Sequence, residues 1–235
     1  MQISGIKKST LLDYPGKVAT LIFTPGCNLR CGYCHNREFV LPEEIKKIKK
    51  SFISEEVFFR FLRSRIGFLD GVVICGGEPT IHMDLTDFCM KIKDLGFLVK
   101  LDTNGTRPNI IKKLLKQNLV DYIAMDIKQG LSGSKYSNLI GVNIENEIFQ
   151  SSIDIIKNYA PNYEFRTTVI GGIHTSETIE EIAKNIEGAK QYYLQNYRDG
   201  HTLDPNFQGE SVAPSVLVEW QKIAKKYVEK CSIRN

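Results

Sequence analysis

Val18-Ala19-Thr20-Leu21-Ile22-Phe23-Thr24 runs, after Pro25-Gly26, straight into Cys27-Asn28-Leu29-Arg30-Cys31-Gly32-Tyr33-Cys34. The first stretch is an apolar, β-branched run of strand length. The second sets three thiols at C-x3-C-x2-C spacing in a single loop. Five further β-rich runs follow: Gly71 to Cys75, Leu98 to Asp102, Tyr122 to Asp126, Glu164 to Val169 and Gln191 to Gln195. Each of the six is succeeded, after a loop, by apolar residues at three- and four-residue spacing, which predicts helices over 54–66, 84–95, 108–118, 145–159, 176–187 and 214–230. Ser54, Ser176, Pro108 and Pro214 mark helix starts, and Gly67 and Gly96 mark two ends.

Strands alternating with helices imply a parallel sheet with right-handed crossovers, either curled into an incomplete barrel or spread as an open doubly wound sheet. The placement of the motifs selects the barrel. Chemistry in β/α barrels is built at the C-terminal ends of the strands. Here the cysteine loop follows the first run, Gly76-Gly77-Glu78-Pro79 the second, Asp102-Thr103-Asn104-Gly105 the third and Asp126-Ile127-Lys128 the fourth. The expected fold is therefore α/β, a partial (β/α)6 barrel open on one side, formed by 1–235 as a single domain with the cysteine loop at 25–36.

The composition sets bounds. A chain of 235 residues with 42% hydrophobic content can bury one substantial core. Lysine and arginine exceed the acids by 31 to 27, and a net charge of +4 gives no reason to invoke nucleic acid. No apolar stretch reaches the ~20 residues that span a bilayer. No membrane partner is expected, and the N-terminus lacks the layout of an export signal, so the expected location is cytoplasmic. In that reducing compartment the six cysteines are not read as a disulfide framework, and Cys75, Cys89 and Cys231 are taken as small buried hydrophobes. Lys46-Lys47-Ile48-Lys49-Lys50 is read as a solvated face, with a docking patch for an acidic partner as the alternative.

Three clustered thiolates can hold three corners of an iron–sulfur cube and leave the fourth iron without a protein ligand. Two other readings use the same residues. Cys31-Gly32-Tyr33-Cys34-His35 matches the c-type haem attachment pattern, which leaves Cys27 without a role, and Cys-x-x-Cys with His35 offers part of a zinc site. A closed electron-transfer cluster normally takes four cysteines.

The octet followed by His35-Asn36 resembles the cluster loop of the radical S-adenosylmethionine (radical SAM) enzymes, and its Cys-His-Asn ending resembles their glycyl-radical-activating branch. That resemblance implies a 4Fe-4S cluster on Cys27, Cys31 and Cys34, with S-adenosylmethionine chelating the open iron and Tyr33 near the adenine. Gly76-Gly77-Glu78-Pro79 is similar to the family's G-G-E-P motif, which implies that Gly76, Gly77 and Glu78 hold the methionyl amino group. Asp102-Thr103-Asn104-Gly105 and Asp126-Ile127-Lys128 resemble the D-T-N-G and D-x-K stretches of pyruvate formate-lyase activating enzymes. They imply that Asp102, Asn104 and Lys128 bind the cofactor and that Asp102, Thr103 and Asp126 surround a monovalent cation. Arg166 resembles an arginine that meets the cofactor carboxylate, with a salt bridge to a rim acid as its other reading.

The sixth strand departs from pyruvate formate-lyase activating enzymes. Leu194-Gln195-Asn196-Tyr197-Arg198 replaces their Leu-Pro-Tyr-His-like ending, and Asp13-Tyr14-Pro15-Gly16 with the stretch Gln195 to Pro205 looks instead like the activating proteins of anaerobic ribonucleotide reductases. The resemblance thus implies an enzyme, a radical SAM oxidoreductase, that cleaves S-adenosylmethionine reductively to a 5′-deoxyadenosyl radical. That radical would take hydrogen from a glycine Cα of a partner enzyme, the electron coming from a flavodoxin- or ferredoxin-type donor. A small-molecule radical enzyme similar to 7-carboxy-7-deazaguanine synthases, and a non-enzymatic iron–sulfur or zinc protein, are the alternatives. No side-chain base, such as a rim histidine, is expected.

Overall fold

The computed structural model describes residues 1–234. All six expected strands are present within a residue or two of their expected bounds, as β2 (Ala19–Thr24), β3 (Gly71–Gly76), β4 (Leu98–Thr103), β5 (Tyr122–Asp126), β6 (Tyr163–Val169) and β7 (Tyr192–Asn196). Two more flank them: β1 (Gly5–Thr10) pairs antiparallel with β2, and β8 (Cys231–Arg234) pairs parallel with β7. Both escaped the sequence pattern because an edge strand buries little. β1 reads Gly-Ile-Lys-Lys-Ser-Thr, and its lysines guard the exposed edge against pairing with another chain.

The strands follow in chain order, β1 through β8, in one sheet. A doubly wound sheet reverses its order at a switch point, whereas right-handed crossovers that never reverse put every helix on one face and curl the sheet. The fold is accordingly an incomplete barrel. β1 and β8 stand at the ends of the order and are not paired with each other.

The inner strands are buried almost continuously, as parallel strands covered on both faces must be: Val72, Val73 and Ile74 on β3 and Ile123, Ala124 and Met125 on β5 are sealed from solvent. Six long helices cover the outer face: α3 (Glu55–Arg63), α4 (Leu85–Asp94), α5 (Pro108–Lys116), α7 (Asn146–Tyr159), α8 (Ser176–Asn185) and α9 (Pro214–Ala224). Phe58, Phe59 and Phe88 join α3 to α4 through a cluster of rings. The Ser54 hydroxyl accepts from the Val57 N–H and so caps α3 as expected, but the cap of α8 is Thr175, one residue earlier than the sequence suggested.

Four local features were not anticipated. α1 (Arg37–Val40) and α2 (Pro42–Ile48) follow the cysteine loop, and α6 (Lys135–Ile140) follows β5. α9 (Pro214–Ala224) stops six residues before its expected end, because the chain must turn there to enter β8. No helix among the described residues is long and apolar enough to cross a membrane.

Candidate active site at the barrel rim

The cysteine loop is bolted to the barrel by its neighbours. The Gly77 N–H donates to the Thr24 carbonyl and the Glu78 N–H to the Gly26 carbonyl, both at 2.8 Å, so the loops after β2 and β3 lie against each other. This approach needs glycine. A Cβ on Gly77 would stand 1.8 Å from the Gly26 carbonyl oxygen, and Gly76 has φ +111° with the Thr24 backbone nitrogen 2.3 Å from where its Cβ would be. Asn36 Nδ2 donates to the Gly76 carbonyl at 2.8 Å and ties down the far end of the loop.

The loop after β4 holds the cysteine loop in turn. Asn104 Nδ2 donates to Asn28 Oδ1 at 3.0 Å, Asn28 Nδ2 donates to Thr106 Oγ1 at 2.8 Å, and Thr106 Oγ1 donates back to Asn104 Oδ1 at 2.7 Å. Cys27 Sγ accepts from the Leu29 N–H at 3.4 Å and from Asn104 Nδ2 at 3.8 Å. Donors aimed at a sulfur are the environment that steadies a ligating thiolate. Burial pushes the Cys27 thiol up to about 12, and it raises those of Cys31 and Cys34 as well. A metal reverses that preference, since a coordinating thiol is deprotonated outright.

Two motif residues have structural duties that the sequence did not disclose. The Glu78 carboxylate is 1% exposed. Its Oε1 accepts from the Thr80 N–H at 3.1 Å, from the Thr80 hydroxyl and from Thr103 Oγ1 at 2.8 Å, while Oε2 accepts from the Asn104 N–H at 2.6 Å. Burial raises its pKa, against the pull of these donors. The carboxylate thus joins the ends of β3 and β4, and Gly76 and Gly77 are left to present backbone at the rim. The Asn104 side chain is likewise committed to Asn28, Cys27 and Thr106.

A row of alternating charges crosses the rim from β4 to β6. Lys100, 2% exposed, pairs with Asp102 Oδ1. Asp102 Oδ2 accepts from Arg166 Nη1 at 3.0 Å, and Arg166 Nε reaches Asp126 Oδ1 at 2.9 Å. Lys128 Nζ lies 3.6 Å from Asp126 Oδ2 and 5.8 Å from the centre of the Tyr33 ring. Burial opposes the Asp102 charge, but Arg166 and Lys100 outweigh it and hold the pKa below the usual carboxylate value. Burial also works against the Lys128 charge, and its contacts with the Tyr33 ring and the Asp126 carboxylate keep its pKa above the usual lysine value.

The three residues expected to surround a monovalent cation have other partners in this row. Asp102 and Asp126 meet through the Arg166 guanidinium, while Thr103, on the opposite face of the strand from Asp102, gives its hydroxyl to Glu78. Arg166 therefore makes the salt bridge to rim acids that was its second reading. Among the described residues no three His, Cys, Asp or Glu side chains converge on one metal ion. A cube uses one thiolate per iron corner, so its cysteines need not share an ion, whereas a mononuclear zinc site requires that they do. His35 is engaged elsewhere: Nε2 stands 2.9 Å from the Arg198 carbonyl, and its ring packs on Tyr197 at 5.6 Å.

A histidine does stand at the rim. His174, 4% exposed, accepts the Ile170 N–H on Nδ1 at 3.0 Å, and its Nε2 lies 3.0 Å from the Lys128 carbonyl. Both nitrogens are spent on backbone, so the ring fixes the Lys128 turn and is not placed to take a proton from a substrate. The segment from Tyr197 to Val212 was also not foreseen as part of the site. Leu203 and Asp204 donate backbone N–H to the carbonyls of Cys34 and Gly32 at 2.8 and 3.0 Å, and Phe207 packs on Tyr33 at 5.9 Å between ring centres.

Known proteins resemble this chain along most of its length. The Radical SAM superfamily model matches residues 21–187. A Methanocaldococcus jannaschii protein provisionally named a glycyl-radical enzyme activating enzyme is 36% identical, over 99% of this chain and 95% of its own. The pyruvate formate-lyase-activating enzyme of Clostridium pasteurianum is 28% identical, over 87% of this chain and 84% of its own. Among solved structures, a radical SAM methyltransferase from Sphaerobacter thermophilus superposes with a TM-score of 0.72 at 16% identity, covering 94% of this chain and 67% of that one, which speaks to fold alone. The chain belongs to the radical SAM superfamily, and within it groups with proteins named as glycyl-radical enzyme activating enzymes.

Proposed function

We propose that this chain is a radical SAM activase that generates a glycyl radical in a partner enzyme, with an anaerobic ribonucleotide reductase as that partner. The observation that carries the reading is the match to the M. jannaschii relative along almost the full length of both chains. Family membership implies a 4Fe-4S cluster and S-adenosylmethionine. The donor set fits them: three soft sulfurs in one loop, Cys31 buried and Cys27 and Cys34 half-buried, with hydrogen-bond donors on Cys27 and a cationic Lys128 alongside. Bound there, the cluster would give one electron to the sulfonium, releasing methionine and the radical that takes hydrogen from the glycine Cα.

The residues of the chain do the positioning. Cys27, Cys31 and Cys34 would hold the cluster, Lys128 would offer its charge to the methionyl carboxylate, and backbone at Gly76 and Gly77 would face the amino group. Tyr33, against Phe207 and beneath Lys128, forms an apolar wall for the adenine. The network from Lys100 to Asp126 keeps the rim charges fixed as the cofactor arrives. The glycine would enter through the unclosed side of the barrel. There a cavity of about 640 Å³ lies between Leu12 and Asp13 on one edge and Gln195, Arg198 and Arg234 on the other. A flavodoxin- or ferredoxin-type protein would supply the electron in the cytoplasm.

The test is anaerobic. The reconstituted protein, reduced and mixed with S-adenosylmethionine and an anaerobic ribonucleotide reductase, should give 5′-deoxyadenosine and a stable glycyl doublet by electron paramagnetic resonance. Cofactor cleavage without a doublet would reject that partner, and absence of cleavage would reject the radical chemistry.

A further inference from the structure

The cysteine loop has two sides. On one, Leu203, Asp204 and Phe207 cover Cys31 to Cys34. On the other, Cys27 lines an open cavity of about 540 Å³ outside the barrel, walled by Val40 and Ile45 and rimmed by Arg30, Lys46 and Lys49. Cys27, half-buried, is the thiol that lines this hollow.

The charge there is lopsided. Residues 30–50 carry six Lys or Arg against three Glu, a surplus of three in a chain whose net charge is +4. Glu44 is engaged by Lys47 at 3.0 Å and by Arg37 at 3.4 Å. Among the described residues Arg30, Lys46 and Lys49 have no carboxylate at ion-pair distance, while Glu38 and Glu43 are the other acids of the segment. Arg30 turns its guanidinium back to the carbonyls of Cys27 and Leu29, both at 2.7 Å, so one cation of the patch is fixed to the loop itself. Unpaired cations around an apolar hollow form a steering and docking surface for an acidic partner.

We infer that the hollow beside Cys27, with Lys46 and Lys49 on its rim, is the docking site of an acidic electron-carrier protein that reduces the cluster. The inference rests on the reading that Cys27, Cys31 and Cys34 carry a redox-active cluster. One electron leaves the carrier, which is oxidised, and enters the cluster, which is reduced; no bond or proton is exchanged. The glycine-bearing partner is thereby left the lateral opening between β1 and β8, so both proteins can be served without sharing a surface.

The experiment compares two reductants of the reconstituted protein by stopped-flow bleaching of the cluster: a reduced acidic flavodoxin, and photoreduced deazaflavin, which is small and uncharged at its redox-active ring. In the Lys46→Glu/Lys49→Glu variant the flavodoxin rate should fall about tenfold or more at low ionic strength. The wild-type rate should fall with added salt, and that dependence should vanish in the variant. The deazaflavin rate should be unchanged. The Lys46→Gln/Lys49→Gln variant should lie between the two, which guards against misfolding by the reversed charges. An unchanged flavodoxin rate and salt slope would overturn the docking site. So would normal flavodoxin reduction with lost glycyl-radical formation, which would give the patch to the other partner. If deazaflavin bleaches no cluster in the wild type, the cluster reading itself fails and the docking site falls with it.

Discussion

The backbone N–H of Leu203 donates to the carbonyl of Cys34 at 2.8 Å, and beside it Asp204 does the same to Gly32 at 3.0 Å. A segment that follows the seventh strand thus hydrogen-bonds to the loop that follows the second. The segment just beyond Leu194-Gln195-Asn196-Tyr197-Arg198 is a strap over the cysteines. Both bonds run between backbone groups, so they hold the loop as long as the strap itself is seated.

Phe207 seats the strap, with ring centres at 5.9 Å from Tyr33 and 5.8 Å from Tyr197. It is only partly buried, so Phe207→Ala should cost roughly 1–3 kcal/mol, below the range for a fully buried ring. The loss should be local. Amide hydrogen exchange should accelerate at Cys31 to Cys34 and leave β3 to β5 protected. Unchanged exchange at the cysteines would show that the strap does not hold them.

Gly77→Ala should be among the most damaging single changes in the chain. Its Cβ would meet backbone at Gly26, which has no rotamer with which to yield, so the loss should exceed about 3 kcal/mol. Denaturant unfolding would measure it, and iron content after reconstitution would fall in parallel as the two loops separate.

Glu78→Gln tests whether this carboxylate is structural. Four donors point at it, and an amide places an N–H₂ against at least one of them, at a cost of about 1–3 kcal/mol. The expected signature is a lower denaturation midpoint together with loosened amides at Asn104 and Thr80. A variant as stable as the wild type but weakened in cofactor affinity would return Glu78 to a direct role in binding.

His174 should give the protein part of its acid sensitivity. Burial lowers the pKa of the folded ring, against its bonds to the backbone of Lys128 and Ile170, whereas the unfolded side chain titrates near about 6.5. As the pH falls, the unfolded state takes up its proton first. The contribution of the neutral ring is therefore complete above about 6.5 and is lost as the pH drops through the folded value. In His174→Phe the dependence of the melting temperature on pH should be shallower between about 7.5 and 5.5. Some slope should remain, since burial lowers the pKa of His82 as well. A slope equal to the wild type would exclude the histidine as its source.

Much of the site could be read from the chain because its signals are local. Cys27, Cys31 and Cys34 lie within one octet, the glycines at 76 and 77 end a strand, and the β/α alternation shows in hydrophobic period alone. The residues that were missed carry no local signal. Asn28, Thr106, His174 and Leu203 act through contacts to distant backbone or through one another, and an asparagine or histidine in a loop looks the same whether it faces solvent or a carbonyl thirty residues away.

By itself, the sequence determined the six strands β2 to β7 and the long helices that follow them, the cysteine-bearing loop and the end of the strands at which polar residues gather, since these follow from periodicity and from which end of each strand a motif occupies. Only the tertiary structure decided how those polar residues are employed. It set Arg166 between Asp102 and Asp126 where a cation was expected, turned Glu78 inward, and brought Leu203 onto Cys34. The physical reason is that a buried charge or donor must find a partner, and which partner lies within 3 Å depends on how the sheet curls, a property of the whole chain and of no single stretch of it.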